Sequence, residues 1–254
     1  EHLGTGRAPA VDIAVDPIDG TRLLSNGQSN SISTVALAPR GTMFDPGPFL
    51  YMEKIVVGVE ARDAIDINAP VEDNLKSIAR ALGQDINDLT VVILDRQRHQ
   101  SLINEVRRTG ARIRLISDGD VAGALMAVLP ESGIDVLLGT GGTPEGVLAA
   151  CALRCVGGNM QCRLVARNEG ELRRGPQAGI DFNKTLFMDD LVSSEDVFFA
   201  ATGITNGDLL QGVDYTADGA RTDSIVMRGL TGTIRRISAT HRLDRLGKIS
   251  SIEY

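Results

Sequence analysis

The sequence predicts an α/β protein in two strand-bearing lobes, on three observations. From Leu89 onward, short apolar runs alternate with helical patterns through short links. Before that point strand patterns dominate and helical ones are scarce. A chain of 254 residues with 43% hydrophobic content can also bury a core, as one large domain or two lobes. The expected lobes are 1–88, rich in strands, and 89–254, with alternating strands and helices.

Each element has its own signal. Val11–Val15 reads as a short buried strand that ends directly in Asp16-Pro-Ile-Asp-Gly-Thr21. Ser31–Leu37 alternates as a second strand, a Gly/Pro-rich loop spans Arg40–Pro48, and Tyr51–Val59 resumes a strand pattern. Ala69–Leu82 has helical spacing, with Pro70 near its start and Gly83 as its stop. In the second lobe the strands are Val91–Leu94, Ile113–Ile116 and Ile134–Leu138. The intervening helical patterns are His99–Thr109, Val121–Leu129 and Pro144–Cys155, which predicts parallel βαβ units with right-handed crossovers. Further strands are expected over Asp196–Thr202, Asp223–Met227 and Gly232–Thr240, and helix or loop over Asn168–Asn183.

Composition narrows the partners. A net charge of −7 argues against nucleic acid or a membrane surface, both of which favour a basic face. No apolar run is long enough to cross a bilayer, and no signal-peptide pattern opens the chain. Cys151, Cys155 and Cys162 form an odd set in one apolar stretch and read as buried free thiols in a reducing cytoplasm rather than a zinc site. The chain opens Glu1-His2-Leu3 without an initiator Met and quickly reaches a dense polar motif, so a preceding segment is expected. Neither His2 nor His241 carries a motif.

That polar motif is the first chemical signal. Asp16 and Asp19, with the Thr21 hydroxyl beyond, crowd negative charge at a strand end, where Pro17 fixes the backbone and Gly20 permits an unusual dihedral. Like-charged carboxylates at close range resist joint ionisation unless a cation offsets them, and an all-oxygen cluster suits Mg²⁺ or Mn²⁺. A plain Asp-Pro turn followed by an Asx-type cap remains the alternative.

The second signal lies just beyond the three parallel strands, whose carboxyl ends share one rim where ligands of open α/β sheets bind. The first ends in Asp95-Arg96-Gln97-Arg98-His99, the second in Ser117-Asp118-Gly119-Asp120, the third in Gly139-Thr-Gly-Gly-Thr-Pro-Glu-Gly146. Singly, each reads as a solvated face, a helix cap or a tight turn. Together they offer paired guanidiniums for a phosphate, carboxylates for sugar hydroxyls, a Gly-rich turn for an anion and Glu145 for a cation. That combination suits a phosphorylated polyol. His99 reads as structural or phosphate-adjacent rather than as a general base. Neither a Gly-x-Ser-x-Gly elbow nor a Walker P-loop is present.

The Asp16–Thr21 string resembles the signature of the lithium-sensitive, metal-dependent phosphatases. The strings Arg40–Pro46, Tyr51–Lys54, Arg96–His99, Ser117–Gly123, Gly141–Gly146, Ala201–Asp208 and His241–Leu243 resemble, in order and over essentially the whole chain, the GlpX-type class II fructose-1,6-bisphosphatases. The resemblance implies a layered α-β-α-β-α sandwich of the sugar phosphatase fold, with the site between two sheet-containing lobes. It implies hydrolysis of the 1-phosphate of fructose 1,6-bisphosphate in gluconeogenesis with Mn²⁺ or Mg²⁺, in a cytoplasmic homo-oligomer, a dimer or tetramer. Asp16, Asp19 and Glu145 would bind one metal ion, and a second would draw on acidic residues preceding Glu1. Thr21 would position the attacking water, with Asp19 as ligand and proton relay. Asp19, Gly20, Thr21, Tyr51, Arg96, Gln97, Arg98, Asp118, Gly119, Asp120 and Gly142 would hold the substrate. Gln97 stands where the family usually has proline. Sedoheptulose 1,7-bisphosphate or an inositol phosphate are alternative substrates, and a non-catalytic sugar-phosphate sensor is the alternative outside enzymes.

Overall fold

The computed structural model describes residues 4–45, 47–217 and 219–246; Pro46 of the Arg40–Pro46 string, and His2, lie outside the described residues. Eleven strands run β1 Val11–Asp19, β2 Ile32–Pro39, β3 Tyr51–Val57, β4 Thr90–Leu94, β5 Arg112–Ile116, β6 Val136–Gly142, β7 Asn159–Leu164, β8 Phe198–Gly203, β9 Asp214–Thr216, β10 Gly219–Arg228 and β11 Thr233–Arg242. The helices are α1 Thr21–Ser25, α2 Val71–Leu82, α3 Gln100–Thr109, α4 Asp120–Met126, α5 Thr143–Val156, α6 Glu169–Gln177, α7 Met188–Leu191 and α8 Leu243–Leu246.

Two sheets form. One is antiparallel, in the order β1-β2-β8-β10-β11 with β9 on β10. The other has the order β5-β4-β6-β3-β7, with β5, β4 and β6 parallel and β3 antiparallel to both its neighbours. The parallel units expected from the alternating pattern are therefore present. The sheets do not divide at residue 88, because β3 joins the later strands and β8 through β11 join β1 and β2.

Burial explains the layers. In β2 every second residue from Ile32 is buried, the period of a strand with one face on a core. That face meets α5, whose other side packs against β3, β6 and β7, while α4 lies beside α5 between β1 and the strands β4 and β6. Being covered by a sheet on each side, α5 is apolar nearly all round, and the small residues Gly146, Ala149, Ala150 and Ala152 fit the narrow layer. The opposite face of the second sheet, with Ile55, Val91, Ile93 and Leu138, is covered by α2 and α3 through Leu75, Ile78, Ile103 and Val106. The order sheet, helices, sheet, helices is an α/β sandwich and supplies four of the expected layers. The remaining face carries exposed Ile13, Val15 and Phe198, so β1 has one open face and is not the buried strand expected at Val11–Val15.

Cys151, Cys155 and Cys162 are buried free thiols in the inner helix layer and on β7 beside it, and burial pushes each up to about 12. Among the described residues no helix is long and apolar enough to cross a membrane.

Candidate active site

A bulge in β1 aims the two motif aspartates. Simple alternation would send Asp16 and Asp19 to opposite faces, since they are an odd number of residues apart. The pairing runs Asp16 with Thr34, then Asp19 with Ile32, so Pro17 and Ile18 oppose Ser33 alone. The extra residue rotates the strand, and both carboxylates lie opposite inward-facing partners, Thr34 and Ile32. Pro17 suits a bulge because it has no N–H to give the ladder.

Asp19 is 3% exposed, and its Oδ2 accepts the Ala122 N–H in the first turn of α4 at 2.9 Å. Burial, with the charges of Asp120 and Asp16, raises its pKa to about 7. Its carbonyl accepts the Ser31 hydroxyl at 3.1 Å. Ser31 N–H donates in turn to Thr205 Oγ1 at 3.0 Å, and Asn30 Oδ1 accepts the Asp208 N–H at 2.8 Å. The Ala201–Asp208 string is thus a brace behind the motif. Gly20 has φ 86°, the left-handed region, and Thr21 opens α1 as an exposed side chain.

The three parallel strand ends do meet at one rim. Asp118 joins them to the motif: Oδ1 accepts Arg96 at 2.8 Å and Oδ2 accepts the Arg22 N–H at 3.1 Å. Arg96 also donates to the Ser117 carbonyl, so its guanidinium is turned into the protein as a strut. Gln97 is exposed at the rim, and Gly119 takes φ 88°, bringing its Cα close to Asp19. Arg98 donates from Nε and NH2 to the Thr140 carbonyl at 3.1 and 2.6 Å and stacks 5.5 Å from the Tyr51 ring centroid. Tyr51 pairs with Gly142 across β3 and β6.

His99 serves the backbone. Strands β4 and β6 pair only at Val91–Val136 and Val92–Leu137 and then part. The His99 ring fills the fork, with Nδ1 2.7 Å from the Leu94 carbonyl and Nε2 2.8 Å from the Thr140 N–H. Since the Thr140 N–H can only donate, Nε2 accepts, and the proton is assigned to Nδ1. Burial, followed by the charge of Arg98, lowers its pKa and keeps the ring neutral. The ring is a joint rather than a general base, in line with the structural reading of its sequence position.

Glu145, in the first turn of α5, folds its carboxylate over Gly142, where a Cβ would overlap Oε2. Burial raises its pKa, Lys54 opposes that rise, and Asp120 and Asp16 add to it. Asp120 pairs with the buried ammonium of Lys54. The charges of Asp16 and Asp120 therefore act on both Asp19 and Glu145. Among the described residues, no three His, Cys, Asp or Glu side chains are already gathered tightly enough to enclose a metal. The donor set nevertheless fits a hard dication: all ligands are oxygen, and a carboxyl held near neutrality by burial gains most from a cation beside it.

Two residues of the site stand outside the strand-end pattern and the family strings' expected contacts. Lys54 sits at the same parity as the apolar Met52 and Val56, which marks an inward-facing charge. Arg167, chelated by Glu171, lies 5.8 Å from the Tyr51 ring centroid and brings a second guanidinium to that phenol.

Fold and site together define a layered α/β protein with a carboxylate-lined centre between its sheets and cationic groups at the rim, suited to a phosphate ester held through a cation. The model of one family, described as bacterial fructose-1,6-bisphosphatase, glpX-encoded, matches residues 1–241. The chain is 44% identical over 265 residues to the fructose-1,6-bisphosphatase class 2 of Haemophilus influenzae, covering 99% of this chain and 79% of that protein. It is 44% identical over 258 residues to the fructose-1,6-bisphosphatase 1 class 2 of Escherichia coli K12, covering 96% and 76%. The chain belongs to the glpX-encoded bacterial fructose-1,6-bisphosphatase family.

Proposed function

We propose that this chain is a phosphoric monoester hydrolase that converts fructose 1,6-bisphosphate and water to fructose 6-phosphate and phosphate, in the cytoplasm and in gluconeogenesis. The observation that carries the reading is that Asp16 and Asp120 both bear on the buried carboxyls of Asp19 and Glu145, beside Tyr51 and Arg98, in a chain of this family.

Asp16, Asp19 and Glu145 would hold Mn²⁺ or Mg²⁺. Such a cation supplies positive charge to the phosphoryl oxygens and acidifies water. Thr21 orients water for in-line attack on the 1-phosphate, with Asp19 beside it as cation ligand and proton relay. Arg98, resting on Tyr51, faces the distal phosphate, while Arg96 and Asp118 keep the rim in register so that binding is spent on orientation. Asp120, Gly119, Gln97, Gly142 and Gly20 line the space for the sugar. A homo-oligomer completes the reading.

The test is phosphate release by the full-length protein from fructose 1,6-bisphosphate, sedoheptulose 1,7-bisphosphate and inositol 1-phosphate, each with EDTA, Mn²⁺ or Mg²⁺. Metal-dependent release fastest from fructose 1,6-bisphosphate is expected. Preference for another ester changes the substrate, and no release from any by the folded, metal-loaded protein leaves the sugar-phosphate sensor.

A further inference from the structure

We infer that Lys54 is a positioning residue: its buried ammonium withholds Asp120 from the metal and reserves that carboxylate for a sugar hydroxyl. The inference rests on the metal-dependent activity proposed for this site.

The geometry points this way from both partners. Lys54 lies in the middle of β3 on the face whose neighbours Met52 and Val56 are wholly buried, and its side chain is 2% exposed. An ammonium at a core position is costly to desolvate, and replacing a buried ion pair by apolar residues is often neutral or stabilising. Stability alone therefore does not account for it. What the position does account for is the control of one oxygen. The charge of Asp120 acts on both Asp19 and Glu145, and its Oδ2 is taken by Lys54 Nζ. The same oxygen lies against Gly141, where a Cβ would overlap it, so Asp120 is held between β3 and β6.

A hard cation and an ammonium compete for the same lone pairs. With the ammonium already seated, Asp120 is a poor ligand, whereas its free oxygen can still accept a hydroxyl. One lysine thereby sorts chemically identical groups into metal ligands and a sugar acceptor.

The experiment is Mn²⁺ titration by calorimetry without substrate, alongside KM for fructose 1,6-bisphosphate, on wild type, Lys54→Met and Lys54→Met/Asp120→Asn. In Lys54→Met the freed carboxylate turns to the metal, so Mn²⁺ binds about fivefold tighter or more while KM rises by a similar factor. In the double variant the pair is neutral, as before. Mn²⁺ affinity returns to within about threefold of wild type, while KM stays raised about fivefold or more. Unchanged Mn²⁺ affinity in Lys54→Met overturns the inference, as does a tenfold loss in the double variant, which would make Asp120 a ligand. Should Lys54→Met not fold, the double variant decides alone by the same criterion. If wild type itself binds no Mn²⁺, the metal-dependent reading falls and this inference with it.

Discussion

The His99 ring accepts the Thr140 N–H at 2.8 Å and so closes the fork between two parallel strands that have stopped pairing. The same residue, Thr140, offers its carbonyl to Arg98, so the rim of the site hangs on neighbouring residues of one short turn. Substituting His99 by Phe keeps the bulk and removes both hydrogen bonds. A loss of about 2–4 kcal/mol is expected from two unpaired backbone groups, read by denaturant unfolding.

The same ring gives a pH signature. Its folded pKa lies below the ordinary 6.5 because of burial, so the unfolded chain binds a proton that the folded one refuses. Stability from this group is complete above about 6.5 and is lost as pH falls below it. The charges facing the ring are Arg98, which deepens the effect, and Asp120, which moderates it. A His99→Phe variant whose stability declines as steeply as wild type between pH 6.5 and the acid limit would contradict this.

Asp19 works in the opposite sense. Burial raises its pKa from 3.8 to about 7, so the metal-free fold is favoured by protonation. That stability is complete below 3.8 and is lost as pH rises through about 7. Asp19→Asn keeps an oxygen for the Ala122 N–H and escapes the cost. With EDTA at pH 8 it should be more stable than wild type by up to about 4 kcal/mol, with no gain at pH 4. Mn²⁺ should raise the wild-type melting temperature at pH 8 and leave the variant unmoved.

Gly142→Ala separates folding from function. The atoms nearest the added methyl are those of the Glu145 carboxylate tip, which can swing away, so stability should change by less than about 1 kcal/mol. The displaced tip leaves the cation centre, and Mn²⁺ affinity should fall about tenfold or more in calorimetry. Equal affinities would remove Glu145 from the ligand set.

Asn30 has φ 76°, and its side chain accepts the Asp208 N–H. Asn30→Ala loses the bond and retains the left-handed backbone, which costs about 1–2 kcal/mol. Asn30→Gly loses the bond but relieves the backbone, and should lie within about 1 kcal/mol of wild type. Thermal melts that rank the two variants the other way would count against the brace.

Thr21→Ala removes a hydroxyl proposed to act chiefly on the attacking water. Turnover should drop about tenfold or more with KM little changed, as for an interaction made in the transition state. A parallel rise in KM would assign Thr21 to substrate binding instead.

The stretch Val91–Cys155 is the more legible part of the chain. Val91–Leu94 is a continuous apolar run before a helical pattern, a texture that parallel sheets impose because both faces are covered, whereas Ile113–Ile116, at the sheet edge, is broken by Arg114 and stays partly exposed. Strand β7, Asn159–Leu164, is not legible in the same way: it comes directly after α5, and its Gln and Arg break the apolar run. Sheet membership was equally hidden, because the pairing of β2 with β8 joins Ile32 to Gly203, and local patterns carry no information at that separation. At the site, residue types marked Asp16, Asp19 and Asp120 as polar groups at strand ends. They could not show that a bulge turns the first two to one side, nor that Lys54 and Arg96 spend their charges inside the protein.

The helix layer between the sheets also makes the molecule its own reporter. Cys151 and Cys155 lie on α5 and Cys162 on β7, all within the core closed by both sheets, with thiols held un-ionised up to about pH 12. Thiolate is the reactive form, so a thiol reagent finds nothing to attack until the layers separate. The rate at which these cysteines are alkylated in the native protein is therefore a clock for the parting of the two sheets, and a cation that fastens α5 to β1 through Glu145 and Asp16 would slow it.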